Sequence, residues 1–472
     1  MAADRDGVGM SHDRERSRAR EHASLDPETV DTIDELLRNR LAEDDIPGLS
    51  LAISDRDGVL YATGYGSRDI ESNDPATSET VYGIGSVSKS FASLATLQLV
   101  ASDELALDDP VTHYLDVDIP DEITLHHLLS HTSGFPSLAV SEALLGRQLG
   151  IGEAGVPLGS REDVLAHVES ATDEITDDPG EHWQYYNSGY TLVGEVIETV
   201  TGTAYTDHVS RKILGPLAMD RSTFDGDRFD SFEDRMTPYF AEDDELTPYP
   251  LPIREHSAAA GGLLAPVTDL VRYLRMHLRG GELDGTRLCD EETLQRAYEA
   301  HAETPAGPYG YGWRTRDVGG ESLIGHGGSI AISTAYAGFS PDHDVAIALL
   351  ANTSPGYGLA ELGKGVFAAL TGTDPETLPF FSRRARFEEL SGEYESYRGI
   401  KRAAVEPAGG TLRLRIGGPI DGDGEWQPLV PTDVEAGRFD AVSAAGDRIP
   451  VRFVRKGGDL SCFIDRWRLH QC

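Results

Sequence analysis

Ser86 and Lys89 stand three residues apart where a run of small residues, Tyr82-Gly-Ile-Gly-Ser86-Val-Ser-Lys89-Ser-Phe91, opens a long apolar-periodic stretch. In a helix this spacing puts both side chains on one face about one turn apart, so an amine can lie beside a hydroxyl. A hydroxyl becomes a useful nucleophile only when a neighbour takes its proton. Lysine is scarce, at Lys89, Lys212, Lys364, Lys401 and Lys456, yet a chain of this length holds about 0.4 Ser-x-x-Lys tetrads by chance. Alone, the pair reads as an ordinary amphipathic helix start; it becomes a catalytic centre only with partners.

Two further stretches offer them. In His182-Trp-Gln-Tyr185-Tyr186-Asn187-Ser-Gly-Tyr190, Tyr185 brings a phenol with a reference pKa of about 10, and a neighbouring ammonium favours the phenolate, a base for the serine. Asn187 offers an amide to a substrate carbonyl or to Lys89. In Leu323-Ile-Gly-His326-Gly327-Gly328-Ser329, glycines on a strand edge let backbone N–H groups approach a ligand, as an oxyanion hole needs. His326 is then expected to touch the substrate and to titrate near neutrality. Taken singly, the first stretch is equally a polar helix cap among core aromatics, and the second a β-bulge with a surface histidine.

These three stretches, in this order, resemble the serine β-lactamase and penicillin-recognising peptidase superfamily, and within it the class C β-lactamase-like branch, which also holds esterases and D-amino-acid-specific peptidases. The resemblance covers about residues 27 to 372. It extends to Leu128-Leu-Ser-His131-Thr-Ser-Gly134-Phe-Pro136 and Ala260-Gly-Gly-Leu-Leu-Ala265. It implies acyl transfer through a serine ester: Ser86 attacks a carbonyl, and Lys89 and Tyr185 together take its proton and return it to the leaving group. The N–H groups of Ser86 and Ser329 would form the oxyanion hole, Asn187 would orient the substrate amide, and His326, Gly327, Gly328 and Ser329 would line the site. Two departures bear on the substrate. Many relatives carry Lys-Thr-Gly where this chain has His326-Gly327-Gly328, so a fixed charge gives way to a titratable one. Tyr186 is bulky where a small residue is commoner, and is expected to narrow the cleft. The expected substrate is a small molecule or short peptide, an ester or a D-amino-acid amide, with a true β-lactamase or a non-catalytic binding protein on the same fold as alternatives.

The elements that must hold these residues can be read from periodicity. Asp26-Pro27-Glu28 starts an amphipathic helix through Val30, Ile33, Leu36, Leu37 and Leu41. Leu49–Ser54 and Val59–Thr63 flank Asp55-Arg-Asp-Gly58 as a hairpin. The Ser86 helix runs to about 102. Helical patterns fill 105 to 300, notably 123–130, 160–170, 188–201, 204–213, 266–279 and 290–299. Strands return at Gly310–Thr315, Ser329–Ala335 and Asp344–Leu350, followed by a helix near 358–371. Strands at both ends of a helical middle predict an α+β domain, an antiparallel sheet assembled from both ends with a large helical region. The domains expected are a disordered tail (1–25), a hydrolase domain (26–374), a linker (375–389) and a small lipocalin-like antiparallel β-barrel (390–472). In that barrel Leu412, Leu414, Ile416, Val451 and Phe453 face inward, while Arg413, Arg415, Arg452 and Arg455 face out. The barrel is nearly charge-balanced and is expected to cover the cleft or build a homo-oligomer.

The 472 residues carry a formal charge of −39, which disfavours nucleic-acid binding. An acidic, lysine-poor surface suits high salt, where the Debye length falls to roughly 3 Å at 1 M; a halophilic, archaeal source is expected. Cys289, Cys462 and Cys472 form no disulfide framework or CxxC knuckle. No apolar run reaches spanning length, so a cytoplasmic protein with no membrane partner is expected. Asn352-Thr353-Ser354 is a chance glycosylation match. No cofactor or metal is expected: the Gly150–Gly155 GxGxxG has no strand before it, and His126, His127 and His131 fit the family stretch better than a metal cluster. The absence of Gly-x-Ser-x-Gly argues against an α/β-hydrolase elbow.

Overall fold

The computed structural model describes residues 24–148, 150, 160–242, 245–252, 255–420, 422–443 and 445–472. The tail expected at 1–25 and the GxGxxG stretch lie almost wholly outside these residues. The chain divides into two compact units, one ending at Gly372 and one beginning at Thr373.

In the first unit, helix α1 (Pro27–Glu43) is capped by Asp26, whose carboxylate accepts from the Thr29 N–H at 3.0 Å. Strands β1 (Gly48–Ser54), β2 (Val59–Asp69) and the short β3 (Asp74–Pro75) follow. Four more come from the far end of the unit: β4 (Arg314–Val318), β5 (Glu321–Ser329), β6 (Thr334–Ser340) and β7 (Val345–Ala351). Together they form one seven-stranded antiparallel sheet in the order β4-β5-β6-β7-β1-β2-β3. Every residue of β1, β6 and β7 is buried, because helices cover both faces; such strands read as apolar runs without alternation.

The helical region supplies α2 (Ser88–Ala101), α3 (Leu125–Ser130), α4 (Val140–Gln148), α5 (Asn187–Thr201) and α6 (Val267–Leu278), and α7 (Ala360–Leu370) closes the unit. Helix α6 packs on β1, β6 and β7, while α1 packs on α7 and β2. Helix α2 is the centre of the region: eleven of its residues, Lys89 included, are buried. A helix enclosed on all sides is a core element, and its weak amphipathicity follows.

Two expected strands are corrected. Gly310–Thr315 is mostly irregular, since Gly312 at φ 71° carries the chain past α2, where a Cβ would lie 2.9 Å from the Lys89 carbonyl. Ser329–Ala335 is broken: β5 ends at Ser329, and Ala331 at φ 67° turns the chain before β6 begins. The His326–Ser329 stretch is thus the end of a strand rather than the approach to one.

In the second unit eight antiparallel strands close into a barrel: β8 (Gly392–Glu395), β9 (Arg402–Ala408), β10 (Thr411–Gly417), β11 (Trp426–Asp433), β12 (Arg438–Val442), β13 (Arg448–Lys456), β14 (Asp459–Ile464) and β15 (Trp467–Gln471). Pairing of Tyr394 with Gln471 completes the closure, which removes exposed edges. Leu412, Leu414, Val451 and Phe453 fill the core, and Arg413, Arg415, Arg452 and Arg455 lie outside it. The segment 375–389, expected as a linker, is instead a short turn (Pro375–Thr377) and helix α8 (Pro379–Leu390). Phe387 and Leu390 of that helix enter the barrel core; the apolar face is sparse among charges, so its periodicity is faint. Among the described residues no helix is long and apolar enough to cross a membrane.

Candidate active site

Ser86 sits in a single 3₁₀ turn, Gly85–Val87, that leads into α2. The turn lies hard against the end of β5. A Cβ on Gly328 would fall 1.9 Å from the Ile84 carbonyl oxygen and 3.0 Å from the Ser86 nitrogen, and one on Gly85, itself at φ 51°, would fall 2.8 Å from the Ser329 nitrogen. Glycine at both positions is what lets the two backbones meet.

Lys89 is wholly buried, with its Nζ 3.1 Å from Ser86 Oγ, 2.7 Å from Asn187 Oδ1 and 2.7 Å from the Ala260 carbonyl oxygen. Burial brings its pKa down to about 7, a shift that Glu142 on α4 partly opposes. The neutral amine has two N–H donors and one lone pair. Asn187 Oδ1 and the Ala260 carbonyl are acceptors only, so they take the two donors and leave the lone pair for the Ser86 proton.

Tyr185 hydrogen-bonds Ser86 through its phenol, but burial pushes its pKa well above the ordinary 10.0. The expectation of a phenolate is therefore corrected. The Lys89 Nζ lies 4.9 Å from the centre of the Tyr185 ring, but burial of the phenol outweighs the positive field that Arg314 adds. His326 is corrected in the same way. Its ring is buried, Nδ1 lies 2.6 Å from the Gly327 carbonyl oxygen and Nε2 lies 3.0 Å from Tyr309 Oη. Burial, followed by the nearby Lys89, lowers its pKa to about 3, so it is neutral at physiological pH and does not titrate there.

Ser86, Asn187 and Ser329 line one cavity of about 90 Å³, together with Ala260, Gly261, Leu144, Leu145, Pro252 and Ile330. A few converging polar groups in an apolar lining suit a small acyl group. Tyr186 does not narrow this cavity: it is buried, with its ring stacked 5.1 Å from that of Phe135. His131 explains why the loop before α5 is fixed. It ends α3 at φ 60°, its Nδ1 accepts the Tyr186 N–H at 3.1 Å, and its ring lies 4.3 Å from that of Tyr185. His126 pairs instead with Tyr311 Oη at 2.6 Å, and His127 caps α3. Among the described residues one grouping has metal-ligand spacing, Asp177, Glu181 and His182; in it His182 pairs with Asp177 at 3.2 Å and Asp177 also accepts from Gln184 at 2.6 Å.

Sequence reasoning missed Arg314. Its guanidinium lies 5.2 Å from the centre of the Trp183 ring and 5.4 Å from that of Tyr309, and its field reaches Tyr185 and His326. It is half-buried, and burial lowers its pKa. No short motif marks it, because it is brought there by the pairing of β4 with β5, opposite Gly325.

A sheet built from both ends of a domain, with a serine, a lysine and a tyrosine meeting at the helical side, defines the serine β-lactamase and penicillin-recognising peptidase class. Residues 33–366 match the family model described as Beta-lactamase, and the chain belongs to that family. Residues 375–470 match a second model, the Pab87 octamerisation domain. The chain is similar over 94% of its length to the whole of the octameric penicillin-binding protein homologue from Pyrococcus abyssi, with 32% identity and a TM-score of 0.87. A D-stereospecific amidohydrolase from Streptomyces sp. is 25% identical, with a TM-score of 0.60 over 72% of this chain and 97% of that one. Protein flp of Staphylococcus aureus (strain MW2) is 27% identical over 69% of this chain, which spans 63% of that relative's length.

Proposed function

We propose that this protein is a serine hydrolase that cleaves an ester or a D-amino-acid amide or peptide through a covalent acyl-enzyme. The observation that carries the reading is Lys89 Nζ, 3.1 Å from Ser86 Oγ with its pKa brought down to about 7. Ser86 Oγ bonds to the substrate carbonyl carbon as its proton passes to the Lys89 lone pair. The oxyanion meets the N–H groups of Ser86 and Ser329. The proton then travels through the neutral Tyr185 phenol to the leaving nitrogen or oxygen as that bond breaks. Water, deprotonated by the same pair, attacks the ester and frees Ser86. Asn187 orients the substrate amide beside His326, Gly327 and Gly328.

Arg314, half-buried against the Trp183 and Tyr309 rings with its field reaching Tyr185 and His326, favours a substrate that carries a carboxylate, and so a short peptide over a neutral ester. The similarity to a D-stereospecific amidohydrolase supports an amide bond next to a D-residue. The test is a fluorophosphonate probe applied in molar salt with peptide mapping of the adduct, run beside a panel of D-peptides, neutral esters and a β-lactam. Stoichiometric label on Ser86, with turnover highest for carboxylate-bearing D-peptides, is expected. Label elsewhere overturns the mechanism, and preference for neutral esters overturns the substrate.

The formal charge of −39 supports adaptation to high salt, in an archaeal cytoplasm. The thermal midpoint is expected to rise by roughly 10 °C or more between 0.1 and 2 M KCl as surface repulsion is screened; a midpoint unchanged by salt in differential scanning fluorimetry would refute this. The match of residues 375–470 to an octamerisation domain supports self-assembly through the barrel.

A further inference from the structure

The three most exposed large apolar side chains among the described residues are Ile420 at 95%, Tyr397 at 75% and Ile400 at 53%. All three belong to one end of the barrel. Strands β9 and β10 pair so that Arg402 lies opposite Gly417, which makes the segment before β9 and the segment after β10 neighbours in space. A Cβ on Gly418 would lie 3.2 Å from the Ile400 carbonyl oxygen. The Gly418 N–H donates to the Gly422 carbonyl at 2.9 Å, and Ile420 follows two residues after Gly418. On the other side, the Ser396 N–H donates to the Lys401 carbonyl at 2.9 Å, and the Lys401 N–H donates to Ser396 Oγ at 2.8 Å. That turn holds Tyr397 outward and puts Arg398 at φ 56°, a left-handed conformation unfavourable for a residue with a Cβ.

The opposite end of the barrel is occupied differently. There Phe387 and Leu390 of α8 enter the core, the Arg386 Nε donates to the Val434 carbonyl at 3.4 Å, and Arg455 pairs with Glu389 at 2.9 Å. Packing of α8 thus covers one end, while the other carries exposed apolar side chains. Beside them is a cleft of about 470 Å³, lined by Ile400, Ala403, Ala404, Arg415 and Pro419 among others.

Charge identifies the occupant. Residues 391–472 hold twelve Lys and Arg against twelve Asp and Glu, so they are neutral in a chain whose total is −39. The rest of the chain therefore carries the whole net charge, and this domain is where two copies meet with the least net repulsion. Exposed large apolar side chains gathered at one end of a domain are what marks a protein interface.

We infer that the Tyr397, Ile400 and Ile420 end of the barrel is the surface on which a second copy of this chain docks, with these side chains as its apolar anchors. The inference rests on the reading of the barrel as the assembling domain, and names the face that does it.

The test is the solution mass of the full chain in 2 M KCl, by size-exclusion chromatography with light scattering at about 10 µM. The variants are Ile420→Asp, the double variant with Tyr397→Asp, and Val454→Asp, whose side chain is 44% exposed near the opposite end of β13. Ile420→Asp is expected to lower the mass at least about twofold, and the double variant further, with far-ultraviolet circular dichroism unchanged; Val454→Asp keeps the wild-type mass. An oligomeric wild type whose mass survives the double variant overturns the face but not the assembly. A monomeric wild type overturns both, and ester hydrolysis assayed in the same samples reports on Ser86 independently of either.

Discussion

Ser86→Ala and Lys89→Met are each expected to lower kcat/KM by about 10⁴ to 10⁶-fold, and the double variant to lose no more than either alone. Groups that act as one unit behave in this way, and the 3.1 Å separation of Nζ and Oγ makes the two a unit. The variants part company in stability. The folded-state pKa of Lys89, about 7, lies below the ordinary 10.5. Between those values the unfolded chain holds a proton that the folded chain does not, so this group's contribution to stability rises with pH from about 7 to about 10.5, and is lost as pH falls through 7. The slope in that window approaches about 1.4 kcal/mol per pH unit. It is expected to persist in Ser86→Ala and to vanish in Lys89→Met, as read by guanidinium unfolding at a series of pH values. The absolute stability of Lys89→Met is less informative, since Asn187 Oδ1 and the Ala260 carbonyl lose their donor, each at a cost of about 1–3 kcal/mol. An unchanged slope in Lys89→Met would show that the amine is charged in the folded protein.

Gly328→Ala is expected to reduce kcat by about 10² to 10³-fold, the range seen when an oxyanion-hole donor is removed. The added methyl would meet the Ile84 carbonyl oxygen at 1.9 Å and the Ser86 nitrogen at 3.0 Å. Both are backbone atoms, so no side-chain rotation relieves the clash, and the Ser86 turn must move off the strand at a cost of about 1–3 kcal/mol. Gly358→Ala, away from the site and with nothing within 4 Å of its Cβ, is the control. Activity in Gly328→Ala within twofold of wild type, by steady-state assay, would mean that the contact between β5 and the Ser86 turn has no part in catalysis.

Much of this arrangement is legible in the sequence because it is local. Ser86 and Lys89 declare their common face by spacing alone, and Tyr185, Asn187 and the His326–Ser329 stretch are short signatures whose residue types carry their own chemistry. The sheet is legible because its apolar strands sit at the two ends of a helical middle. What spacing does not carry is burial. The phenolate expected at Tyr185 and the titrating imidazole expected at His326 both assume water nearby, and the structure encloses each. Arg314 has the same origin, since only the register of β4 against β5 brings it beside Tyr309. Helix α8 escapes notice for a different reason: its apolar residues are few and mean something only once the barrel exists to receive Phe387 and Leu390.

The enclosure of α2 has a bearing on how this protein fails. In many hydrolases the active centre is the softest region and is lost to local fluctuation well before the fold gives way. Here Ser86 leads into a helix that is itself the middle of the core, with Lys89 and ten other residues of it shut off from solvent. No small opening can expose that helix without dismantling the packing around it. Amide hydrogens along α2 are expected to exchange among the slowest in the domain. Inactivation by heat is therefore expected to coincide with global unfolding, so that residual activity and circular dichroism of a heated sample fall together.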